Sequence, residues 1–151
     1  MKILFVSNGD VCRSPMAKGI LRHKLKEKNI TSVEVDSAGF ESHLIGEPPD
    51  PNSIKICAEN NIDISDYRSS LFSTVDFNKY DKIYVMDHKN YRNVKFFAEN
   101  EKDMEKVDFL MNLLKPGLNK HLVDPYHKKV EGFKKTFNKI DKACDKIIES
   151  L

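Results

Sequence analysis

The chain of 151 residues is 40% hydrophobic and 32% charged, enough for one domain that buries roughly 68–70% of its unfolded surface without disulfide or metal support. Its 25 Lys and Arg against 23 Asp and Glu leave a formal charge of +2, which excludes the basic excess of a non-specific nucleic-acid binder. No apolar run approaches the ~18 residues of a membrane span, and the three cysteines (Cys12, Cys57 and Cys144) are odd in number, far apart and without metal-ligand spacing, so a reduced cytoplasmic protein free of metal and cofactor is expected.

Lys2–Val6 is a short apolar run followed by turn residues, which predicts a buried strand and is too brief for the core of a signal peptide. Ser7-Asn8-Gly9-Asp10 is a turn-forming cluster, and Ser14-Pro15 reads as an N-cap and first-turn pair. Met16, Ile20, Leu21 and Leu25 then share one helical face, so residues 1–28 read as strand, tight loop, helix. Val33 and Val35 alternate with Glu34 and Asp36, a second strand that ends at Asp36-Ser37-Ala38-Gly39.

The proline-rich loop Glu47–Pro51 precedes a helix over about 52–60. Residues 62–73 show no period, and Ser73 is placed to cap a short helix through Phe77. Lys82–Met86 predicts a third strand, halted by Asp87 and followed by a helix over about 89–99. Val107–Leu110 predicts a fourth strand, and 115–130 read as loop. A last helix over about 131–150 carries Phe133, Phe137, Ile140, Cys144 and Ile147 or Ile148 on its inner stripe. Strands alternating with helices imply one α/β domain over 1–151: a four-stranded parallel sheet with helices on both faces.

In such a sheet, ligands bind beyond the carboxyl ends of the strands. The loop between the first strand and first helix gathers backbone N–H groups beside a helix N-terminus, and Arg13 adds a planar fork suited to a tetrahedral oxyanion. Neither G-x-x-x-x-G-K-[ST] nor G-x-G-x-x-G occurs, so it is not a nucleotide loop. By itself it reads either as a cradle for a phosphate-like dianion or as an ordinary strand-to-helix turn with Arg13 in a surface ion pair.

The stretch Ile3–Ala17, with Gly9 and Cys12-Arg13-Ser14-Pro15, resembles the phosphate loop of the low-molecular-weight protein tyrosine phosphatases, which opens on a cysteine and closes on C-R-S-P. Asp36-Ser37-Ala38-Gly39, Asp50-Pro51, Met86-Asp87 with Asn90, and Asp124-Pro125-Tyr126 extend the resemblance in the same order over nearly the whole chain. It implies a tyrosine-phosphorylated protein or peptide as partner and a two-step phosphoryl transfer needing no cofactor. Position 7 would supply the nucleophile. Asn8, Gly9, Asp10, Val11, Cys12, Arg13 and Ser14 would form the phosphate cradle, with Ser14 also bonded to the nucleophile. Asp124 would protonate the departing phenol and then activate water, and Tyr126 would wall the pocket. Read alone, Asp124 is equally a turn former before proline, and Cys12 a small buried thiol; the family uses its neighbouring cysteine pair for reversible oxidation.

Position 7 departs from that pattern: it is Ser where the family has cysteine. A thiol starts near pKa ~8.5, but an aliphatic hydroxyl starts on the order of water's ~15.7. Ionising Ser7 at neutral pH would therefore cost roughly 12 kcal/mol at ~1.36 kcal/mol per unit, and a depression of about three units, as in reactive cysteines, offsets only ~4 of it. No histidine lies in the loop as a base; the five stand at 23, 43, 88, 121 and 127. The chain is thus expected to be an impaired or substrate-trapping phosphatase, or else a natural pseudophosphatase that binds phosphotyrosine or another oxyanion without turnover. A thiol-dependent arsenate reductase of the same fold ranks lower, because it too needs the missing cysteine.

Other departures bear on partner preference. Asn8 replaces a leucine, and Asp10 replaces the asparagine that braces the loop, keeping an acceptor while bringing negative charge near the anion. His43 aligns with a rim tryptophan of bacterial members, His127 with a second tyrosine, and Arg68-Ser69-Ser70 with a segment carrying two arginines. Lys128, Lys129, Lys134 and Lys135 read as a solvated face, or as a docking patch for acidic segments.

Overall fold

A computed structural model describes residues 1–126 and 128–151; the expectation for His127 lies outside the described residues. Strands β1 (Lys2–Val6), β2 (Glu34–Ala38), β3 (Lys82–Val85) and β4 (Val107–Phe109) form one sheet in the order β2-β1-β3-β4. Every pairing is parallel, with Val6 opposite Ala38 on one side and Val85 on the other. As the central strand, β1 is buried on both faces, which is why it reads as an unbroken apolar run rather than an alternating one.

The pleat splits that run between two cores. Ile3 and Phe5 pack with Met16, Ile20 and Leu21 of α1 (Arg13–Glu27), Ile56 of α2 (Pro51–Glu59), and Phe137, Ile140 and Cys144 of α6 (Val130–Glu149). Leu4 and Val6 point the other way, to Phe77 of α3 (Asp76–Lys79) and Val94 of α4 (His88–Phe97), with Met104 of α5 (Glu101–Glu105) at its margin. Phe5 stacks on its register partner Tyr84 at 5.9 Å, adding aromatic contact to the strand pairing. Helices therefore cover both faces, as the alternation of elements predicts.

Some local expectations are corrected. Cys12, not Ser14, stands at the N-cap of α1, with no side-chain cap; the Ser14 hydroxyl is drawn instead to Ser7 and Asp10. Val75, not Ser73, precedes α3, and the Ser73 N–H donates to the Asp76 carboxylate. Helix α5 was not expected. Its signal is Asn100, whose side chain accepts from the Asp103 N–H, with Glu101 and Asp103 in the first turn.

The chain leaves β1 toward β2 on one side and returns to β3 on the other. The crevice at this reversal lies beyond the carboxyl end of β1, where residues 7–12 run.

Candidate functional site

A cavity of about 300 Å³ opens over that loop, lined by Ser7, Asn8, Gly9, Val11, Cys12 and Arg13, with Glu41, His43, Leu44, Asp124 and Tyr126 around the mouth. Among the described residues, none of the backbone N–H groups from Asn8 to Arg13 donates to a protein acceptor. Six successive donors without a protein acceptor, beside a helix start, are an arrangement with which backbone amides can hold an anion. Asp10 holds φ at 55°, a left-handed turn that Asp tolerates better than most side chains and that helps curl the loop.

Two neighbouring segments keep that curl. Ser7 N–H donates to Ala38 O at 3.2 Å, Phe40 N–H to Asn8 O at 2.7 Å, and Asp50 N–H to Val11 O at 2.7 Å. Gly39 passes so close that a Cβ there would meet Asp10 N at 2.8 Å and Asn8 O at 2.9 Å. The glycine of Asp36-Ser37-Ala38-Gly39 is thus required by close approach. Residues 69–72 dock beside it, with Gly39 N–H on Ser70 O and Phe72 N–H on Gly39 O.

Arg13 is only 2% exposed. Its Nη1 donates to Asp87 Oδ2 and to Leu122 O, each at 2.8 Å, and Nη2 lies 3.6 Å from Asp124 Oδ2. The alternative of a surface ion pair is therefore excluded. Asp87 caps α4 by accepting from Asn90 N–H. Burial opposes its charge, yet the Asn90 N–H, the Arg13 guanidinium and His121 hold its carboxyl below the ordinary range. Among the described residues, Nε and Nη2 donate no hydrogen bond to protein, which leaves part of the fork for a ligand.

Asp124 sits in the loop before α6. Leu122, 1% exposed, anchors that loop through its N–H to Met86 O, and Asp124 Oδ1 accepts from Tyr126 N–H at 3.1 Å. The turn-forming role and the pocket position of Asp124 coexist. Tyr126 is half-exposed at the mouth, and His43 lies at the rim with Nδ1 3.5 Å from Glu41 Oε2.

Behind the cradle, Ser7 Oγ is 2.6 Å from Ser14 Oγ, and Ser14 Oγ donates to Asp10 Oδ1 at 2.6 Å. Ser70 N–H donates to Asp10 Oδ2 at 3.1 Å. Asp10 and Ser14 are buried and do not line the cavity, so the expected negative charge stands behind the cavity rather than in it. Burial pushes the Asp10 carboxyl up to about 6, against hydrogen bonds from Ser14, Ser37 and the Ser70 backbone and the charge of Lys18. Cys12 lines the pocket, but burial and then the charges of Asp50 and Asp124 push its thiol up to about 12.

Sequence reasoning named Asp87 and Gly39 only as strand-end and motif residues, and assigned no site role to Ser70, Glu41 or Leu122. Asp87 carries a readable signal, an Asp-x-x-Asn cap after a strand. The others are brought in only by tertiary packing. Of the expected docking cluster, Lys128, Lys129 and Lys135 line a separate cavity with Lys139 and Thr136. Among the described residues, no group of three or more His, Cys, Asp or Glu is placed to hold a metal, and no helix is long and apolar enough to cross a membrane.

A family model described as low molecular weight phosphotyrosine protein phosphatase matches residues 2–151. A curated relative, the low molecular weight protein-tyrosine-phosphatase PtpA of Staphylococcus aureus, is 34% identical over 150 residues, covering 99% of this chain and 92% of the relative. The low molecular weight protein tyrosine phosphatase of T. tengcongensis superposes with a TM-score of 0.89 at 31% identity, covering 100% and 99% of the two chains. Vibrio vulnificus Wzb, solved in complex with benzylphosphonate, superposes at 0.86 with 28% identity over 99% and 98%. A Drosophila arginine phosphatase superposes at 0.91 with 28% identity over 99% and 97%.

Proposed function

Because the chain belongs to the low molecular weight phosphotyrosine protein phosphatase family, we propose that its pocket receives the phosphoryl group of a phosphotyrosine side chain and that Ser7 impairs the turnover. One observation carries this reading: six successive amides have no protein acceptor, and five of their residues, Arg13 with its buried fork among them, line a cavity of about 300 Å³. These are fixed donors that need no reorganisation when the anion arrives. The benzylphosphonate bound by Vibrio vulnificus Wzb, an arylmethyl oxyanion, supports an aromatic phosphate as ligand.

In this reading the cradle of Asn8, Gly9, Asp10, Val11, Cys12 and Arg13 contributes its N–H groups, Ser14 closes the loop behind them with its own N–H on Ser7 Oγ, and Arg13 binds two phosphoryl oxygens. Tyr126 packs beside the substrate ring, and the Asp124 carboxyl at the mouth protonates the phenolic oxygen as it leaves. The reacting atom faces Ser7 Oγ, where the family has a thiolate. A neutral hydroxyl does not repel the dianion, so binding is kept while attack is slowed. We place the protein in the cytoplasm, where its three free thiols stay reduced.

A second reading, an oxyanion-binding pseudophosphatase, is favoured by the state of Cys12: a thiol held near pKa 12 does not stand in for the missing nucleophile. Arsenate reduction draws no such support, since burial also raises the Cys57 and Cys144 thiols.

The test compares p-nitrophenyl phosphate hydrolysis by this chain and by Ser7→Cys, with calorimetry of inorganic phosphate on the unaltered chain and on Arg13→Ala. Turnover gained with cysteine, and phosphate binding lost with Arg13, are expected. Phosphate binding without turnover in Ser7→Cys would select the pseudophosphatase. Absence of both would reject the site.

A further inference from the structure

We propose that Asp10, acting through Ser14, accepts the proton of Ser7 and so lets Ser7 take the phosphoryl group of an aryl phosphate, leaving a phosphoserine in the loop. The proposal rests on the pocket being a phosphoryl site, as argued above, and concerns what Ser7 itself does there.

The direction of the hydrogen bonds carries it. An ionised carboxylate only accepts, so the single hydroxyl proton of Ser14 goes to Asp10 Oδ1 at 2.6 Å. The 2.6 Å contact between Ser7 Oγ and Ser14 Oγ must then be filled by the proton of Ser7. Ser14 N–H also donates toward Ser7 Oγ at 3.3 Å, holding it in place. The Ser7 proton is thus drawn backward into the protein, while Ser7 lines the cavity and Ser14 and Asp10 lie buried behind it. This is the order of groups in a serine nucleophile with an oriented base, a second hydroxyl standing where other enzymes place an imidazole.

The groups facing Asp10 suit the task. Ser14 and Lys18 approach from α1, Ser37 from β2, and the Ser70 N–H from the segment beside Gly39; Lys18 also faces Asp36 and Arg22. Burial raises the carboxyl to about 6, making it a stronger base than an exposed aspartate while leaving it ionised at neutral pH. The Asp10 carboxylate acts as a positioning group: buried behind the cavity, it touches neither substrate nor phosphorus.

In the transfer, the Ser7 Oγ–P bond forms as the aryl O–P bond breaks. The Ser7 proton moves to Ser14, the Ser14 proton moves to Asp10 Oδ1, and Asp124 protonates the departing phenol where the phenol needs it. No redox partner or metal takes part. The product is an alkyl phosphate whose leaving oxygen, with a pKa on the order of 15.7, is far poorer than a phenol near ~10. Its hydrolysis is slow, and the chain fills with one phosphoryl group.

The experiment incubates the full chain with p-nitrophenyl phosphate, whose phenol departs readily without an acid, and follows intact mass and fragment spectra over time. One phosphoryl group per chain, on Ser7, is expected, formed faster as pH rises through about 6. Asp10→Asn should slow this at least ~100-fold and remove the limb near pH 6, because an amide does not take up a proton. In a Ser7→Cys background the same Asp10→Asn change should cost less than about 10-fold, since a thiolate needs no base. Equal losses in both backgrounds would make Asp10 merely structural and overturn the proposal. So would phosphoserine forming equally fast without Asp10, or phosphate binding with no modification of Ser7. If inorganic phosphate fails to bind at all, the reading of the pocket falls first and this one with it.

Discussion

Replacing Asp10 by Asn tests the energetics of the site through stability rather than turnover. Asp10 is 3% exposed, and burial lifts its carboxyl from 3.8 to about 6 in the fold. Between those values the folded state binds more protons than the unfolded chain, so stability is greatest below the unfolded value and falls as pH rises through about 6. At ~1.36 kcal/mol per unit, the ionised carboxylate costs about 3 kcal/mol once fully charged. Roughly half of that is present near pH 5, so about 1.4 kcal/mol is lost between pH 5 and pH 8. An asparagine keeps two contacts: its oxygen accepts from Ser70 N–H, and its amide donates to Ser14 Oγ. Any change in hydrogen-bond quality offsets both pH values equally, which leaves the pH dependence of the difference as the signal. Urea unfolding of the wild-type and Asp10→Asn chains near pH 5 and pH 8 should show the variant gaining on the wild type by about 1.4 kcal/mol at the higher pH. A difference that stays flat to within about 0.5 kcal/mol, or that runs the other way, would refute a buried, raised Asp10.

Two further outcomes follow from the loop and its thiols. Gly39→Ala places a Cβ 2.8 Å from Asp10 N and 2.9 Å from Asn8 O. Backbone must yield there, so a loss of about 1–3 kcal/mol in unfolding free energy is expected, with phosphate affinity down at least ~10-fold by calorimetry; unchanged affinity would remove Gly39 from the loop's support. Burial pushes the thiols of Cys12 and Cys57 up to about 12 and raises that of Cys144 further. Iodoacetamide near pH 8 should therefore leave all three unmodified in the native protein and alkylate them after unfolding; rapid native labelling of Cys12 would contradict its environment.

Most of the fold was legible because the sheet is parallel and its central strands are covered on both faces. The apolar runs of β1 and β3 and the stripe of α6 are strong local signals, and they fall where expected within a residue or two. Caps were less legible. Ser14-Pro15 has the composition of a helix start, but a buried acceptor at Asp10 and a hydroxyl at Ser7 claim the Ser14 side chain. The loop residues themselves were readable from their resemblance to a known loop. What lay hidden was direction: nothing local says that Asn8, Gly9 and Val11 line the cavity while Asp10 turns away from it. That depends on a positive φ at Asp10 and on Ser70, sixty positions on, offering its N–H.

Net charge does not favour the anion proposed for this site. Arg13 is already opposed by Asp87 at 2.8 Å, and Asp124, Glu41 and the buried Asp10 add further negative groups around the cavity. A surface lysine patch would attract phosphate more strongly at long range, but salt would screen it and it would fix no geometry. In the proposed reading the affinity comes from the loop amides that have no protein acceptor, donors held in place by the fold, together with the Arg13 fork. In the proposed reading the same arrangement gives binding and chemistry different fates when position 7 is Ser. Amide donors grip a phosphoryl oxygen whatever atom lies beneath it. Lowering a nucleophile's pKa by several units, by contrast, helps only a group that starts within reach of neutrality. A hydroxyl does not, so any attack by Ser7 requires a base in contact with its proton, and the buried chain from Ser7 through Ser14 to Asp10 is the contact this fold provides.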